Sequence, residues 1–426
     1  MARCASRYGC TSVADAGIPI TPPARGSGWF SYENALLLML GTTFGVVFID
    51  RNALTTLMPY IQGEFRLNNT QVGFLAACLS ITWGISGWLV GILSDRAGRR
   101  KPFLVATVVL FSGTALLSGF ATGFVGLLLA RLAMGLAEGP VQPLSQSLIA
   151  LASSEHRRGV NAGIMQATIT SLIGLIAAPI LLVSVAQGHG WRTAFFVAAA
   201  PGLIMAIVLA LFVREKRAVR ETATRHAAVP QLSLVRTRNV ALCMGIALCE
   251  VSWMVIAWAF LPLYFTQVRH FTPETMSWLM GSLGISSAFF GLALPWLSDR
   301  IGRKPVVVVF SALALVMPLG VAFAPGGWTV TAVLLLIGWS ASGTFPIFMA
   351  TIPAESVPRA SLGAAIGLVN GVAEILGGFF GPQVAGVLAD VWGLGAPLVL
   401  MGLLIVVSVV CAAGLVETHP RRRSEA

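Results

Sequence analysis

The sequence predicts an all-α polytopic membrane protein, with twelve transmembrane helices in two pseudo-symmetric six-helix bundles. Three observations carry that expectation. Of 426 residues, 56% are hydrophobic and only 11% charged, against about 25% charged in ordinary soluble domains. Apolar runs of the roughly 20 residues that cross a bilayer recur along the whole chain. The charged residues fall mostly between those runs, and the basic ones favour alternate loops. A soluble enzyme, a disordered chain and a disulfide-stapled secreted domain are excluded by this balance.

In chain order the spans are expected at 34–61, 70–93, 102–122, 125–150, 160–186, 192–213, 239–266, 273–297, 304–324, 327–352, 360–388 and 393–416. Helices are expected because lipid cannot satisfy open backbone groups, and the short alternating segments of a membrane β-barrel are absent. A tail (1–33) precedes an N-terminal bundle (34–213). The polar linker 214–238 leads to a C-terminal bundle (239–416) and a second tail (417–426).

The chain has 28 Lys+Arg against 17 Asp+Glu, a net +11. Most of the basic residues lie in the two tails, the linker and the loops after spans 2, 4, 8 and 10. The other side carries only Arg66, Arg192 and Arg269. The positive-inside rule therefore places both termini and the linker in the cytoplasm. The excess charge reports topology, and no nucleic-acid partner follows from it. The N-terminal tail has Arg3 and Arg7 but no apolar h-region, so no cleavable signal is expected. Six cysteines show no metal or disulfide spacing. No phosphate-binding loop, HExxH or G-x-S-x-G word occurs, so neither a metal nor a nucleotide cofactor is expected.

Two motifs recur at nearly one offset. Ser94-Asp95-Arg96-Ala97-Gly98-Arg99-Arg100-Lys101-Pro102 follows span 2, and Ser298-Asp299-Arg300-Ile301-Gly302-Arg303-Lys304-Pro305 follows span 8. Asp95 and Asp299 are 204 residues apart. Glu155 and Glu355, after spans 4 and 10, are 200 apart. A duplicated six-span unit is the parallel-repeat plan of many secondary transporters. The loop motif resembles that of the major facilitator superfamily, over essentially the whole chain. The resemblance implies two bundles rocking about a midplane site. It also implies gating roles for Asp95, Arg96 and Arg99, with Asp299, Arg300 and Arg303 as counterparts. Asp95 would face the N-terminus of span 11, whose dipole favours an anion, and Arg99 would pair across the seam.

Charges inside the membrane are expensive and mark functional sites by default. Asp50 and Arg51 lie in span 1, Arg131 and Glu138 in span 4, Glu250 in span 7 and Glu374 in span 11; Asp390 ends span 11 at the interface. Arg131 and Glu138 are seven residues apart, about 10.5 Å along one helix face, so each needs a partner on another span. The simplest arrangement sets Asp50 against Arg131 or Arg51 against Glu138, with formal charge zero. Protonating the acids would then free guanidiniums to grip a substrate carboxylate bidentately. Low dielectric favours the neutral carboxyl and the arginines oppose it.

Phe48-Ile49-Asp50-Arg51-Asn52 with Arg131-x6-Glu138 resembles the anion:cation symporter branch of that superfamily. So do Gly377-Gly378-Phe379-Phe380-Gly381-Pro382 in span 11 and Trp258-Ala259-Phe260-Leu261-Pro262-Leu263-Tyr264 in span 7. The resemblance implies a proton-coupled symporter of a small organic anion, with the proton gradient as its energy source. Asp50 and Glu138 would be its proton sites and Arg51 and Arg131 its anion grip. Trp83, Thr170, Trp258, Asn370 and Glu374 would line the cavity, with Glu250 a further acid. The branch often has Tyr where Trp83 stands, Gln near Thr170 and Asn near Ile375, and the acids Glu250 and Glu374 depart from its pattern. The spinster lipid transporters share the Asp-Arg and Arg-x6-Glu words, so a lysolipid substrate is the alternative. A non-transporting receptor or a membrane enzyme is disfavoured by the retained charges and gating loops. A monomer in a bacterial inner membrane is expected, in contact with lipid, protons and substrate.

Overall fold

The computed structural model describes residues 31–154, 157–214, 234–324, 326–358 and 361–419, without the side chains of Asp95, Arg158 and Gly159. Nearly all of both tails, most of the linker, Glu155 and the side chain of the gating residue Asp95 thus lie outside the described residues.

Every regular element among the described residues is helical. Twelve helices are long and apolar enough to cross a membrane: Tyr32–Phe65, Asn69–Ser94, Lys101–Gly119, Phe124–Ala152, Val160–His189, Trp191–Phe212, Arg238–Val268, Pro273–Ile301, Arg303–Phe323, Trp328–Glu355, Leu362–Trp392 and Ala396–Ala413. These are spans 1 to 12 below. They match the expected runs to within a few residues. Span 12 starts later than expected because Gly393 takes a left-handed turn (φ 81°) before Pro397 opens the helix.

The repeat is visible in the backbone. Among the described residues, positive φ occurs at Arg66 and His270 (50° and 52°), at Gly98 and Gly302 (64° and 105°), and at Gly190 and Gly393 (83° and 81°). The members of each pair are 204, 204 and 203 positions apart, so both halves turn at the same places. Gly98 and Gly302 belong to the duplicated loop motif, and left-handed backbone is the reason that motif carries glycine.

Several spans are not uniform α-helix. Span 4 passes from one helix to another at Gly139-Pro140. Its counterpart, span 10, has a 3₁₀ segment at Trp339–Thr344 followed by a π segment at Ile347–Thr351. Span 5 has π segments at Ile164–Ile169 and Ser171–Ala177, and span 11 has one at Ala373–Gly378. Prolines 140, 179, 346 and 382 sit at or just beyond these breaks. A missing N–H and a clashing ring favour such a change of register.

Close helix contacts fix which face of each span looks inward. Span 4 lies on span 2 through Gly135 and Gly139. A Cβ on Gly135 would stand 2.1 Å from Thr82 Oγ1, and Ser86 Oγ donates to the Gly135 carbonyl at 3.0 Å. Span 1 lies on span 5, where a Cβ on Gly174 would meet Phe48 Cβ at 2.3 Å. Small residues at such crossings let backbones approach.

The two bundles meet along spans 2 and 11 and along spans 5 and 8. At the face opposite the duplicated loops the seam is shut. Pro382 carbonyl oxygen lies where a Cβ on Gly73 would be, at 2.2 Å. Asp390 accepts the backbone N–H groups of Asn69 and Thr70, each at 2.8 Å, and the Thr70 hydroxyl at 2.6 Å. Gln267 Nε2 donates to Gln62 Oε1 at 2.8 Å. Span 11 therefore supplies the N-cap of span 2 from the other bundle, a favourable place for a carboxylate. Toward the duplicated loops, residues 362–372 of span 11 part from span 2.

Loss of a cap costs about 1 kcal/mol, which is roughly a fivefold change in an equilibrium. Asp390→Ala is expected to raise the population open at this face by about that factor. The check is the rate at which an impermeant thiol reagent, added at this face, labels a cysteine replacing Thr55 in the cavity.

Candidate functional site

Four of the six intramembrane charges converge near mid-depth, and Glu374 joins them from the other bundle. Asp50 and Glu138 are fully buried, Arg131 is 3% exposed, and the Arg51 and Glu374 side chains are 11% and 16% exposed. Arg51 Nη2 lies 3.8 Å from Glu374 Oε2, an ion pair between spans 1 and 11. Arg131 Nη1 donates to the backbone carbonyl of Arg51 at 3.0 Å and touches Met134 Sδ at 3.7 Å; Arg131 Nη2 has no hydrogen-bond partner. Asp50 and Glu138 sense each other and the arginines electrostatically. None of their four carboxyl oxygens accepts a hydrogen bond from the protein.

This corrects the expected pairing. Neither Asp50–Arg131 nor Arg51–Glu138 forms a contact pair. Arg51 turns across the seam to Glu374, and Arg131 braces the backbone that carries Arg51. The cluster also is not neutral in its ionised form. Asp50, Glu138 and Glu374 are three acids against two bases.

Aromatic rings enclose Arg51. Its guanidinium carbon lies 5.7 Å from the Trp83 ring centre, 5.9 Å from Phe48 and 6.0 Å from Trp258, within the range of cation–π attraction. Trp258 contacts Trp339 at 6.1 Å, and Trp339 stacks on Trp253 at 4.7 Å. Trp339 Nε1 donates to Ser287 Oγ at 2.8 Å. The indole N–H groups of Trp253 and Trp258 are buried without a protein partner. A narrow cleft beside Arg51 and Arg131 is lined further by Asn52, Thr55, Ala76, Leu79, Val255 and Trp258.

The remaining expected lining residues are placed otherwise. Thr170 is buried and its hydroxyl donates to the Met165 carbonyl at 2.9 Å. That bond spans five residues, the spacing of the π register. Asn370 Nδ2 donates to the carbonyls of Ile366 (2.8 Å) and Met349 (3.2 Å), tying span 11 to span 10. Neither borders the cleft. Phe48 and Asn52 entered the sequence reading only as members of the span-1 motif, with no role, and Thr55 and Trp339 were not singled out from sequence. For the latter two only position hints at a role, Thr55 lying one turn from Arg51 and Trp339 deep in an apolar span.

Of the gating residues, Arg96 and Arg99 are exposed. Arg303 binds Asp299 and, at 3.1 Å, Glu355. Glu417, after span 12, accepts the N–H groups of Arg303 (2.9 Å) and Lys304 (3.1 Å). Arg300 stacks on Trp296 at 3.9 Å. These partners all belong to the C-terminal bundle or the tail that follows it, so among the described residues Asp299, Arg300 and Arg303 show no side-chain bond across the seam. Glu250 stands apart from the central cluster, among hydroxyls of spans 9, 10 and 12.

Comparison with known proteins places this geometry. The Major Facilitator Superfamily profile matches residues 39–382 and 242–426. A probable 4-methylmuconolactone transporter of Cupriavidus pinatubonensis is 30% identical over 312 residues, 70% of each chain. A hexuronate transporter of Bacillus subtilis is 27% identical over 411 residues, 89% of this chain and 94% of its own. Among solved structures, a bacterial homolog of the human lysosomal transporter Spinster, inward-facing and unoccupied, superposes with a TM-score of 0.72 at 19% identity. That match covers 91% of this chain and 95% of the other. With twelve membrane-crossing helices, a doubled six-helix unit and these relatives, the chain is an integral membrane transporter, not an enzyme, and it belongs to the major facilitator superfamily.

Proposed function

We propose that the protein is a proton-coupled symporter of a small organic anion, a sugar acid or an aromatic carboxylate, working by alternating access. One observation carries the reading. The buried cluster holds three carboxylates and two guanidiniums, and only one contact ion pair, Arg51–Glu374, is formed among them. A substrate carboxylate has the chemistry to take the place of Glu374 on Arg51, since guanidinium binds carboxylates through paired N–H groups. Trp83 and Trp258 flank that position and suit the face of a sugar or aromatic ring. Adding an anion to a cluster already rich in acid is unfavourable without a cation. A proton on Asp50 or Glu138 supplies it, so anion and proton bind with mutual support. The names of the relatives, hexuronate and 4-methylmuconolactone transporters, fit this class.

In this reading Arg131 is a positioning residue, holding the Arg51 backbone. The duplicated loops and the termini face the cytoplasm of a bacterial inner membrane, in line with the distribution of basic residues. The protein works as a monomer on the gradient alone, with no metal or organic cofactor.

A thermal-shift screen of the purified protein tests the proposal. The ligands are uronic and aldonic acids, aromatic carboxylates and lysophospholipids, each at acid and neutral pH. At least one carboxylate is expected to stabilise the protein, and more strongly at acid pH. Stabilisation by lysophospholipids alone would replace the symporter reading with a lysolipid transporter. Carboxylates that bind equally at both pH values would remove the proton from the scheme.

A further inference from the structure

We propose that Glu250, with Ser311, Thr344 and Ser408 around it, forms a second proton-binding site, located in the C-terminal bundle. The inference rests on the reading of Asp50 and Glu138 as proton sites and extends it to the other half of the protein.

Glu250 is fully buried in span 7, and no salt bridge reaches it among the described residues. Its Oε1 accepts the hydroxyls of Ser311, on span 9, and Ser408, on span 12, at 2.5 and 2.9 Å. Its Oε2 faces Thr344 Oγ1, on span 10, at 3.4 Å. A hydroxyl has one proton to give, and Thr344 already gives its proton to the Ala341 carbonyl at 2.7 Å. The one Thr344 proton thus has two acceptors, the near Ala341 carbonyl and, at the longer distance, Oε2, which has no other donor among the described residues. For an ionised carboxylate this is a poor site, with a buried charge lacking a counterion and one oxygen held only by a long hydrogen bond whose donor is shared. A proton on Oε2 resolves both defects. It points at the free lone pair of Thr344, while Oε1 serves as the carbonyl that accepts two hydroxyls. The four side chains come from four spans, so the site is assembled by the fold of the bundle.

The repeat places this site against the proposed coupling acids. At the offset of 204 seen in the turns, Asp50 corresponds to Met254, one helical turn after Glu250, and Glu138 corresponds to Ser342. Ser342 and Thr344 belong to the same 3₁₀ segment, Trp339–Thr344. Each half thus sets an acid of its first span beside the break in its fourth. The segment that holds Thr344 begins with Trp339, which contacts Trp258, the ring behind Arg51. Deprotonation of Glu250 leaves a bare charge against this segment and favours its displacement. Occupancy by a proton is in this way linked to the wall of the substrate cleft.

The other titratable groups facing Glu250 are few. Cys249 is on its own helix and Cys411 is on span 12. On the elements packed against span 7, Glu374 is paired with Arg51, Asp50 faces Glu138 and Arg131, and Glu355 is paired with Arg303.

Infrared difference spectra of the reconstituted protein, recorded between acid and alkaline buffers, test the proposal without a substrate. The wild type is expected to show a protonated-carboxyl C=O band that is lost at alkaline pH and is missing in Glu250→Gln. Ser408→Ala keeps the acid and removes one hydrogen bond, so it is expected to shift the frequency of that band. It also serves if Glu250→Gln does not fold. A Glu250 band that persists at every pH makes the group a static neutral acid and overturns the proposal. So does a band that neither variant alters. Glu138→Gln separates the two readings. If it removes no titrating band while Glu250→Gln does, the N-terminal coupling assignment fails and the C-terminal site stands.

Discussion

Arg51→Ala is expected to abolish uptake of the organic acid, lowering it by roughly 30- to 3,000-fold. The estimate follows from the cost of truncating one partner of a buried, hydrogen-bonded charge pair, about 2–5 kcal/mol, at about 1.4 kcal/mol per tenfold. Arg51 and Arg131 both border the cleft, and Arg51 is the one enclosed by Phe48, Trp83 and Trp258. Arg51→Lys is expected to restore only part of the activity, because an ammonium lacks the planar fork that meets a carboxylate through two bonds. Glu374→Gln gives the opposite sign for binding. It removes the internal carboxylate that occupies Arg51, so substrate affinity is expected to rise. Maximal rate is expected to fall, since the cross-seam pair no longer resets the empty carrier. Uptake kinetics in proteoliposomes separate these effects. Normal uptake by Arg51→Ala would show that the anion binds elsewhere. Arg131→Ala is also expected to abolish uptake, through loss of the bond to the Arg51 carbonyl.

Glu138→Gln is expected to abolish accumulation driven by a pH gradient while leaving substrate exchange measurable. The replacement has the size of the acid and mimics its neutral form, so the buried site keeps its packing. What is lost is the ability to release a proton when the carrier returns. Asp50→Asn is expected to behave alike, because Asp50 and Glu138 share one electrostatic neighbourhood with Arg131. The measurement is uptake of labelled substrate with an imposed pH gradient, against uptake with unlabelled substrate inside and no gradient. Concentrative uptake by Glu138→Gln would remove that residue from the coupling path.

Much of this could be read from the chain. The twelve spans were legible because the bilayer imposes length and apolarity on each segment separately, without reference to its neighbours. The repeat was legible in the Asp95 and Asp299 loops, and it reappears as paired left-handed residues, including Arg66 and His270, which no sequence pattern marks. The set of intramembrane charges was legible for the same energetic reason. Their partners were not. Asp50 and Arg51 point about 100° apart on a helix of 3.6 residues per turn, and which of them meets span 4 depends on how Gly135, Gly139 and Gly174 seat the helices. Thr170 and Asn370 were expected to line the cavity. Thr170 lies between two π segments and Asn370 in the regular turn before a third, and each gives its side-chain proton to backbone carbonyls.

The sequence alone determined that this chain spans a membrane twelve times, that its halves repeat, and that a few charges are buried at a cost only function repays. Those features follow from solvent and from periodicity, which act locally. Only the tertiary structure decided that Arg51 pairs with Glu374 across the seam, that Asp390 caps a helix of the other bundle, and that Glu250 has three hydroxyls and, among the described residues, no cation. Each depends on the direction of one side chain relative to a helix distant in sequence. A π or 3₁₀ segment alters that direction, and the hydrophobic pattern carries little record of it.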